Sequence, residues 1–223
     1  MQVQLQMKET YEDYFRFCAN CRCFYGNTDL YCVGCWKKIV KEVQQTRKSE
    51  IEIAELEKIN GHHLINWEEG NGELIANLIY SLKGGGLKIA NQRLALFLVQ
   101  EFLANNRQLD LNHFVVVPAP AKIPGDHDHA YQLASSISSL LKIPICEDLL
   151  RVNSKKQQKD RSKQEREKLK FINVEDKRRR GILFVDDVIT TGTTILAGYK
   201  ALKRPSNFYY LSLVYREKRY HSK

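Results

Sequence analysis

The chain has 223 residues, 43% of them hydrophobic, and carries a formal net charge of +9. That length supports one sizeable core plus a small module, and the apolar content is ordinary for a globular protein. No run of about 18 apolar residues is present, which excludes a transmembrane helix.

The first ten residues lack the basic and apolar regions of a signal peptide, so the expected location is the cytosol. There, cysteines are more often metal ligands than disulfide partners. Five of the six cysteines fall at Cys18, Cys21, Cys23, Cys32 and Cys35. Two C-x-x-C knuckles, Cys18–Cys21 and Cys32–Cys35, supply four thiolates, enough to close a tetrahedral zinc site. Cys23 is an alternative to Cys21, although it breaks the spacing. Gly26-Asn27 brings turn chemistry between the knuckles, as a small ribbon needs. Four thiolates leave no open coordination position, so the zinc is expected to be structural, and a module this small needs metal to stay folded.

Past the ribbon, residues 36–50 read as a charged helix, and 51–54 fit either a strand or a helix. Asn60-Gly61 and Gly70-Asn71-Gly72 read as turns. Residues 73–82 are amphipathic, with Leu74, Ile75, Leu78, Ile79 and Leu82 on one face. Gly84-Gly85-Gly86 ends that helix, and 87–103 form the next. His113 to Pro118 is a β-branched run of strand length. A helix is expected over 130–141 and a short strand over 142–145. His127 and His129 read as polar loop residues at the start of that helix.

The charge is not spread evenly. Residues 151–180 hold thirteen basic side chains against five acidic ones, nearly the whole excess. Lys155, Lys156, Lys159, Arg161, Lys163 and Arg166 lie in this stretch. Three readings stay open for it: a mobile loop over a bound anion, a nucleic-acid surface, or a solvated helix with i,i+4 pairs such as Lys163–Glu167.

The next stretch is the most informative. Ile182 to Val185 reads as a buried parallel strand. Asp186 and Asp187 follow at its carboxyl end, where open α/β sheets bind ligands. Thr190-Thr191-Gly192-Thr193-Thr194 then forms a turn opening a helix over 195–202. A helix N-terminus offers unpaired N–H groups and positive dipole charge, which suit a phosphate, and Gly192 lets backbone approach the anion. The paired carboxylates suit sugar hydroxyls or a magnesium ion. A strand over 208–215 completes an alternation that implies a parallel sheet with helices on both faces.

The Asp-Asp and threonine stretch resembles the phosphoribosyl-diphosphate signature of type I phosphoribosyltransferases. The resemblance implies that Asp186 and Asp187 hold the ribose 2′ and 3′ hydroxyls, while Thr190, Thr191, Gly192, Thr193 and Thr194 cradle the 5′-phosphate. More narrowly, the chain resembles the ComF-like competence proteins, in which a four-cysteine ribbon precedes a phosphoribosyltransferase-like domain. Leu78-Ile79-Tyr80-Ser81-Leu82-Lys83-Gly84 looks like that family's segment before its first core helix. Val117-Pro118-Ala119-Pro120 looks like its diphosphate-binding turn, Asp128-His129-Ala130 like its Asn-Gln-Ala helix start, and Gln158 with Glu165-Arg166 like its basic mobile loop. One departure stands out. Where the family carries Arg-Gly-Phe, this chain reads Gly125-Asp126-His127, leaving Lys122 as the cation offered to a diphosphate.

The resemblance implies an α/β fold with a zinc ribbon and connecting helix at 1–48 and a phosphoribosyltransferase-like domain at 49–223. It implies a diphosphate loop at Ala119, Pro120, Ala121 and Lys122, and magnesium bound with phosphoribosyl diphosphate. Glycosyl transfer from that compound is the family chemistry. It also implies a role in uptake of single-stranded DNA during natural transformation, with partners in the uptake machinery at the inner membrane. DNA contact is expected at Lys155, Lys156, Lys159, Arg161, Lys163 and Arg166. Two other readings compete: a nucleotide-salvage enzyme, and a non-catalytic zinc adaptor.

Overall fold

The computed structural model describes residues 17–24, 31–46, 56, 59–83, 88–121, 129–152, 171–173 and 181–216. Its elements run α1 (Val33–Thr46), β1 (Asn60–Asn66), α2 (Gly72–Lys83), α3 (Lys88–Asn105), β2 (Phe114–Pro118), α4 (His129–Leu141), β3 (Leu150–Val152), β4 (Phe171–Asn173), β5 (Gly181–Ile189), α5 (Thr193–Ala201) and β6 (Phe208–Tyr215).

Four strands form a parallel sheet in the order β1-β6-β5-β2. Each central strand is an apolar run because both sheet faces are covered. Alternate residues of β5 leave on opposite sides. Leu183 and Val185 enter a cluster with Leu98 of α3, Leu133 and Ile137 of α4, and Leu78 of α2. Ile182 and Phe184 enter a second cluster with Ile195 of α5 and Phe208. Close approach of α5 depends on Gly198, where a Cβ would sit 2.8 Å from Cε2 of Phe184. The α/β architecture expected from the alternation of strands and helices is therefore present.

The cysteine end packs into the main core. Cys18, Tyr31, Cys35, Ile39 and Val43 belong to the same apolar cluster as Leu78, Leu98 and Leu211. Around it, Nδ2 of Asn77 donates to Oδ1 of Asn20 at 3.0 Å, and the Arg93 guanidinium lies 5.4 Å from the Trp36 ring centroid.

Several local expectations change. Asn60-Gly61 is the start of β1 rather than a turn, with Gly61 paired to Tyr210. A side chain at Gly61 would collide with the Tyr210 ring, so the glycine serves close strand packing. Helix α1 begins at Val33, ahead of the expected Trp36. The short strand expected over 142–145 reduces to one parallel bridge, Val116 to Ile145. An antiparallel pair that sequence reasoning missed, β3 with β4, joins Val152 to Phe171. Residues 51–54 and the ribbon spacer at 25–30 lie outside the described residues, as does the basic stretch that contains Lys155, Lys156, Lys159, Arg161, Lys163 and Arg166.

Candidate functional site

The four parallel strands all end at one edge of the sheet, and the chemistry-bearing residues gather there. Asp186 and Asp187 occupy the last part of β5, both half-buried. Their carboxylates are fixed by backbone donors: the N–H of Asp187 reaches Oδ1 of Asp186 at 3.0 Å, and the N–H of Val188 reaches Oδ1 of Asp187 at 2.8 Å. Beneath them the buried Ser212 hydroxyl donates to the carbonyl of Asp187 at 3.0 Å. An ionised carboxylate has two oxygens and accepts several hydrogen bonds, which suits both side chains to a ligand hydroxyl.

Beyond Ile189 the chain turns into α5 through Gly192, at φ 67° and ψ 2°. This left-handed backbone favours glycine. A Cβ there would also sit 2.8 Å from Cδ1 of the buried Leu56. The first intrahelical bond of α5 runs from the N–H of Leu196 to the carbonyl of Gly192 at 3.0 Å. Helix geometry therefore leaves the N–H groups of Thr193, Thr194 and Ile195 without intrahelical acceptors. Oγ1 of Thr191 and Oγ1 of Thr193 share a 2.8 Å hydrogen bond that closes the loop. Unpaired N–H groups and the positive end of the helix dipole make a helix start of this kind suited to an anion.

On the β2 side, Ala119 is buried and donates its N–H to the carbonyl of Val185 at 2.7 Å. The turn Ala119-Pro120-Ala121 therefore leaves β2 beside Asp186; Lys122 lies outside the described residues. On the other side, the N–H of Arg216 donates to the carbonyl of Ile189 at 2.8 Å, one residue before Thr190. The N–H of Trp67 donates to the carbonyl of Tyr215 at 2.7 Å. The Arg216 guanidinium then covers the Trp67 ring at 4.3 Å from its centroid. Sequence reasoning passed over both residues, because they meet only once β1 pairs with β6.

The edge thus reads, in spatial order, as a short turn, a carboxylate pair with the Thr190–Thr194 loop, and an arginine on an indole. A model of the phosphoribosyl transferase domain family matches residues 86–206, more than half of the chain. The chain belongs to that family. Among curated proteins none matches the chain. The phosphoribosyl transferase match takes in β2, β5 and α5, and leaves the cysteine ribbon, β1, Trp67 and Arg216 outside it.

The second centre lies in the ribbon. Phe17 and Phe24 bridge in antiparallel fashion around a tight knuckle, with Arg22 at φ 59°. The sulfurs of Cys18, Cys21, Cys23 and Cys32 all lie within 4.8 Å of one another. Sγ of Cys21 is 3.3 Å from Sγ of Cys23 and 3.7 Å from Sγ of Cys32. A tetrahedron with Zn–S bonds of about 2.3 Å has S···S edges of about 3.8 Å, so this donor set fits zinc. Three of the four expected ligands are in the group, with Cys23 as its fourth member. Cys35, the other expected ligand, is buried in the first turn of α1 and accepts from Nδ2 of Asn20 at 3.3 Å. The backbone donor at Cys23 brings the Cys21 thiol down to about 6, whereas burial pushes the Cys35 thiol up to about 12. Cys21 is accordingly the readier thiolate. No helix among the described residues is long and apolar enough to cross a membrane.

Proposed function

We propose that the chain binds phosphoribosyl diphosphate with magnesium at the carboxyl edge of its sheet and acts in uptake of single-stranded DNA during natural transformation. One observation carries the binding reading: the left-handed Gly192 opens α5 directly after the strand that bears Asp186 and Asp187. In this reading the N–H groups of Thr193, Thr194 and Ile195 receive the 5′-phosphate. Hydroxyls of Thr190, Thr191, Thr193 and Thr194 add donors. Asp186 and Asp187 accept hydrogen bonds from the ribose 2′ and 3′ hydroxyls, and the turn at Ala119, Pro120, Ala121 and Lys122 faces the diphosphate. When bound, magnesium supplies positive charge to the diphosphate oxygens. The protein's share of any transfer is positioning and charge stabilisation around the anomeric carbon.

The transformation role draws on the resemblance to ComF-like proteins, supported by a cysteine cluster ahead of a phosphoribosyl transferase domain. It assigns 1–48 to the ribbon with its helix and 49–223 to the catalytic-type domain, placed in the cytoplasm beside the uptake machinery at the inner membrane. Lys155, Lys156, Lys159, Arg161, Lys163 and Arg166 would contact DNA phosphates, with affinity falling steeply as salt rises.

Calorimetric titration of phosphoribosyl diphosphate with magnesium tests the site. Saturable binding is expected, and it should vanish in the Asp186→Asn, Asp187→Asn double variant. Absence of binding to the unaltered protein would reject the reading. Neutralising Lys155, Lys156, Lys159 and Arg161 together should abolish binding to single-stranded DNA, and unchanged affinity would remove the DNA contact from this segment.

A further inference from the structure

A closed structural zinc site takes four donors, and the ribbon brings five sulfurs to one place. Cys18, Cys21, Cys23 and Cys32 hold theirs within 4.8 Å of one another. Cys35 adds the fifth, in side-chain contact with Cys18, Cys21 and Cys32. Whichever four a zinc ion takes, one sulfur stays over.

The five are not equivalent. Cys18 and Cys35 are buried in the main core. Nδ2 of Asn20 donates to Sγ of Cys35 at 3.3 Å, and Asn20 is itself held by Asn77. Cys32 is half-buried, whereas Cys21 and Cys23 are exposed. The sulfurs of these two lie 3.3 Å apart. Two backbone bonds close the turn that joins them: from the N–H of Cys18 to the carbonyl of Cys23 at 2.9 Å, and from the N–H of Arg22 to the carbonyl of Cys18 at 3.0 Å. Arg22, between the two cysteines, takes φ 59°, a left-handed conformation that side chains disfavour. Backbone strain of this kind collects at functional sites. Cys23 is exposed and stands outside both C-x-x-C pairs, so it is the sulfur that the other four can spare.

We propose that Cys21 and Cys23 form an oxidation site for hydroperoxides, and that their disulfide releases the metal. The inference rests on zinc as the occupant of the cluster. The Cys21 thiolate attacks the peroxide. An S–O bond forms, the O–O bond breaks, and hydroxide or alkoxide leaves. Cys21 is then a sulfenic acid. The Cys23 thiol attacks that sulfur, an S–S bond forms, and the S–O bond breaks. The oxygen departs as water and carries the Cys23 proton with it. The sulfur pair has lost two electrons, and the peroxide has gained them. Only Cys18, Cys32 and Cys35 then remain, one donor short of a closed site. Two of these three pack in the cluster that holds Leu98 and Leu211, so oxidation at the surface reaches the main core.

The experiment treats the zinc-loaded full chain with hydrogen peroxide. A colorimetric zinc indicator follows release, and mass spectrometry of the alkylated, proteolysed protein maps the disulfide. Zinc release with a Cys21–Cys23 disulfide is expected, and dithiothreitol with added zinc should restore the starting state. Cys146, packed against the other apolar cluster, serves as the control thiol. Cys23→Ser keeps the other four sulfurs, so it should still bind one zinc per chain and lose it to peroxide about tenfold more slowly. Equal rates of release from the variant and the parent overturn the proposal. So does a Cys23→Ser chain that binds no zinc, because Cys23 is then an indispensable ligand. Zinc content of the purified chain separates the remaining failures. Zinc present, with no Cys21–Cys23 disulfide under peroxide, sinks the oxidation site and leaves the structural zinc standing; a chain that takes up no zinc overturns both.

Discussion

The backbone N–H of Asn66, the last residue of β1, donates to Oγ1 of Thr46, the last residue of α1, at 2.9 Å. This bond ties the helix that leaves the cysteine ribbon to the sheet edge that carries Trp67. A second tie runs nearby. Nδ2 of Asn71 donates to Oε2 of Glu42 at 2.6 Å and to the carbonyl of Asn66 at 2.9 Å. Thr46→Val keeps the shape and removes the acceptor. It should lower stability by about 1–2 kcal/mol, read as a shifted urea midpoint at constant slope, and Thr46→Ser should restore most of it. A valine variant as stable as the parent would show that the tie contributes nothing.

Metal removal should be felt well beyond the ribbon. Because Cys18 and Cys35 are buried in the cluster that also holds Leu98 and Leu211, loosening the knuckles opens the main core. Treatment with a strong chelator is expected to lower Tm by about 10 °C in a single cooperative transition. Two separate transitions, with the later one unmoved, would mean that the ribbon melts alone.

Gly192 tests the anion loop without touching a charged group. Gly192→Ala forces an L side chain into the left-handed region, at about 1–2 kcal/mol, and drives its Cβ toward Leu56. Affinity for phosphoribosyl diphosphate should drop about tenfold or more, measured by calorimetry. Equal affinity would mean that the loop does not bind in this conformation.

Acid sensitivity is expected from His63. Its ring is buried, donates from Nε2 to Oδ1 of Asn66 at 2.6 Å, and packs edge-on to Tyr215 at 5.4 Å. Burial, opposed by the Asn66 bond, lowers its pKa from 6.5 to about 4. The folded state therefore holds the ring neutral while the unfolded chain takes up a proton. Stability from this group is present above pH 6.5 and is lost as the pH falls from there through about 4, amounting to about 3 kcal/mol. His63→Gln, which keeps a donor for Asn66, should flatten that part of the stability–pH curve. An unchanged curve would assign the acid loss to other groups.

The sheet was legible where one strand announces itself. Ile182 to Val185 is an unbroken apolar run, and the carboxylates and Gly192 behind it mark strand end and helix start by local chemistry alone. β1 hid because only Leu64 and Ile65 of its seven residues favour a strand. Asn60-Gly61 signals a turn, and His62-His63 interrupts the apolar pattern. What makes it a strand is β6: Tyr210 lies over Gly61, and Asn66 and Tyr215 shelter His63. The cysteine spacing pointed to a metal centre, and Cys18, Cys21, Cys23 and Cys32 gather there with Cys35 in side-chain contact with Cys18, Cys21 and Cys32. Trp67 and Arg216 carry no motif, and only strand pairing makes them neighbours.

The pairing of Val152 with Phe171 has an evolutionary consequence. The two points at which the chain departs toward its most basic stretch and returns from it are cross-strand neighbours, pinned by β3 and β4. β3 and β4 pair with each other and not with the main sheet, so residues added or deleted between them need not change the register of that sheet. The distance in sequence between those two points is thus free to change among descendants of this sequence, while the strand end that carries Asp186 and Asp187 stays fixed.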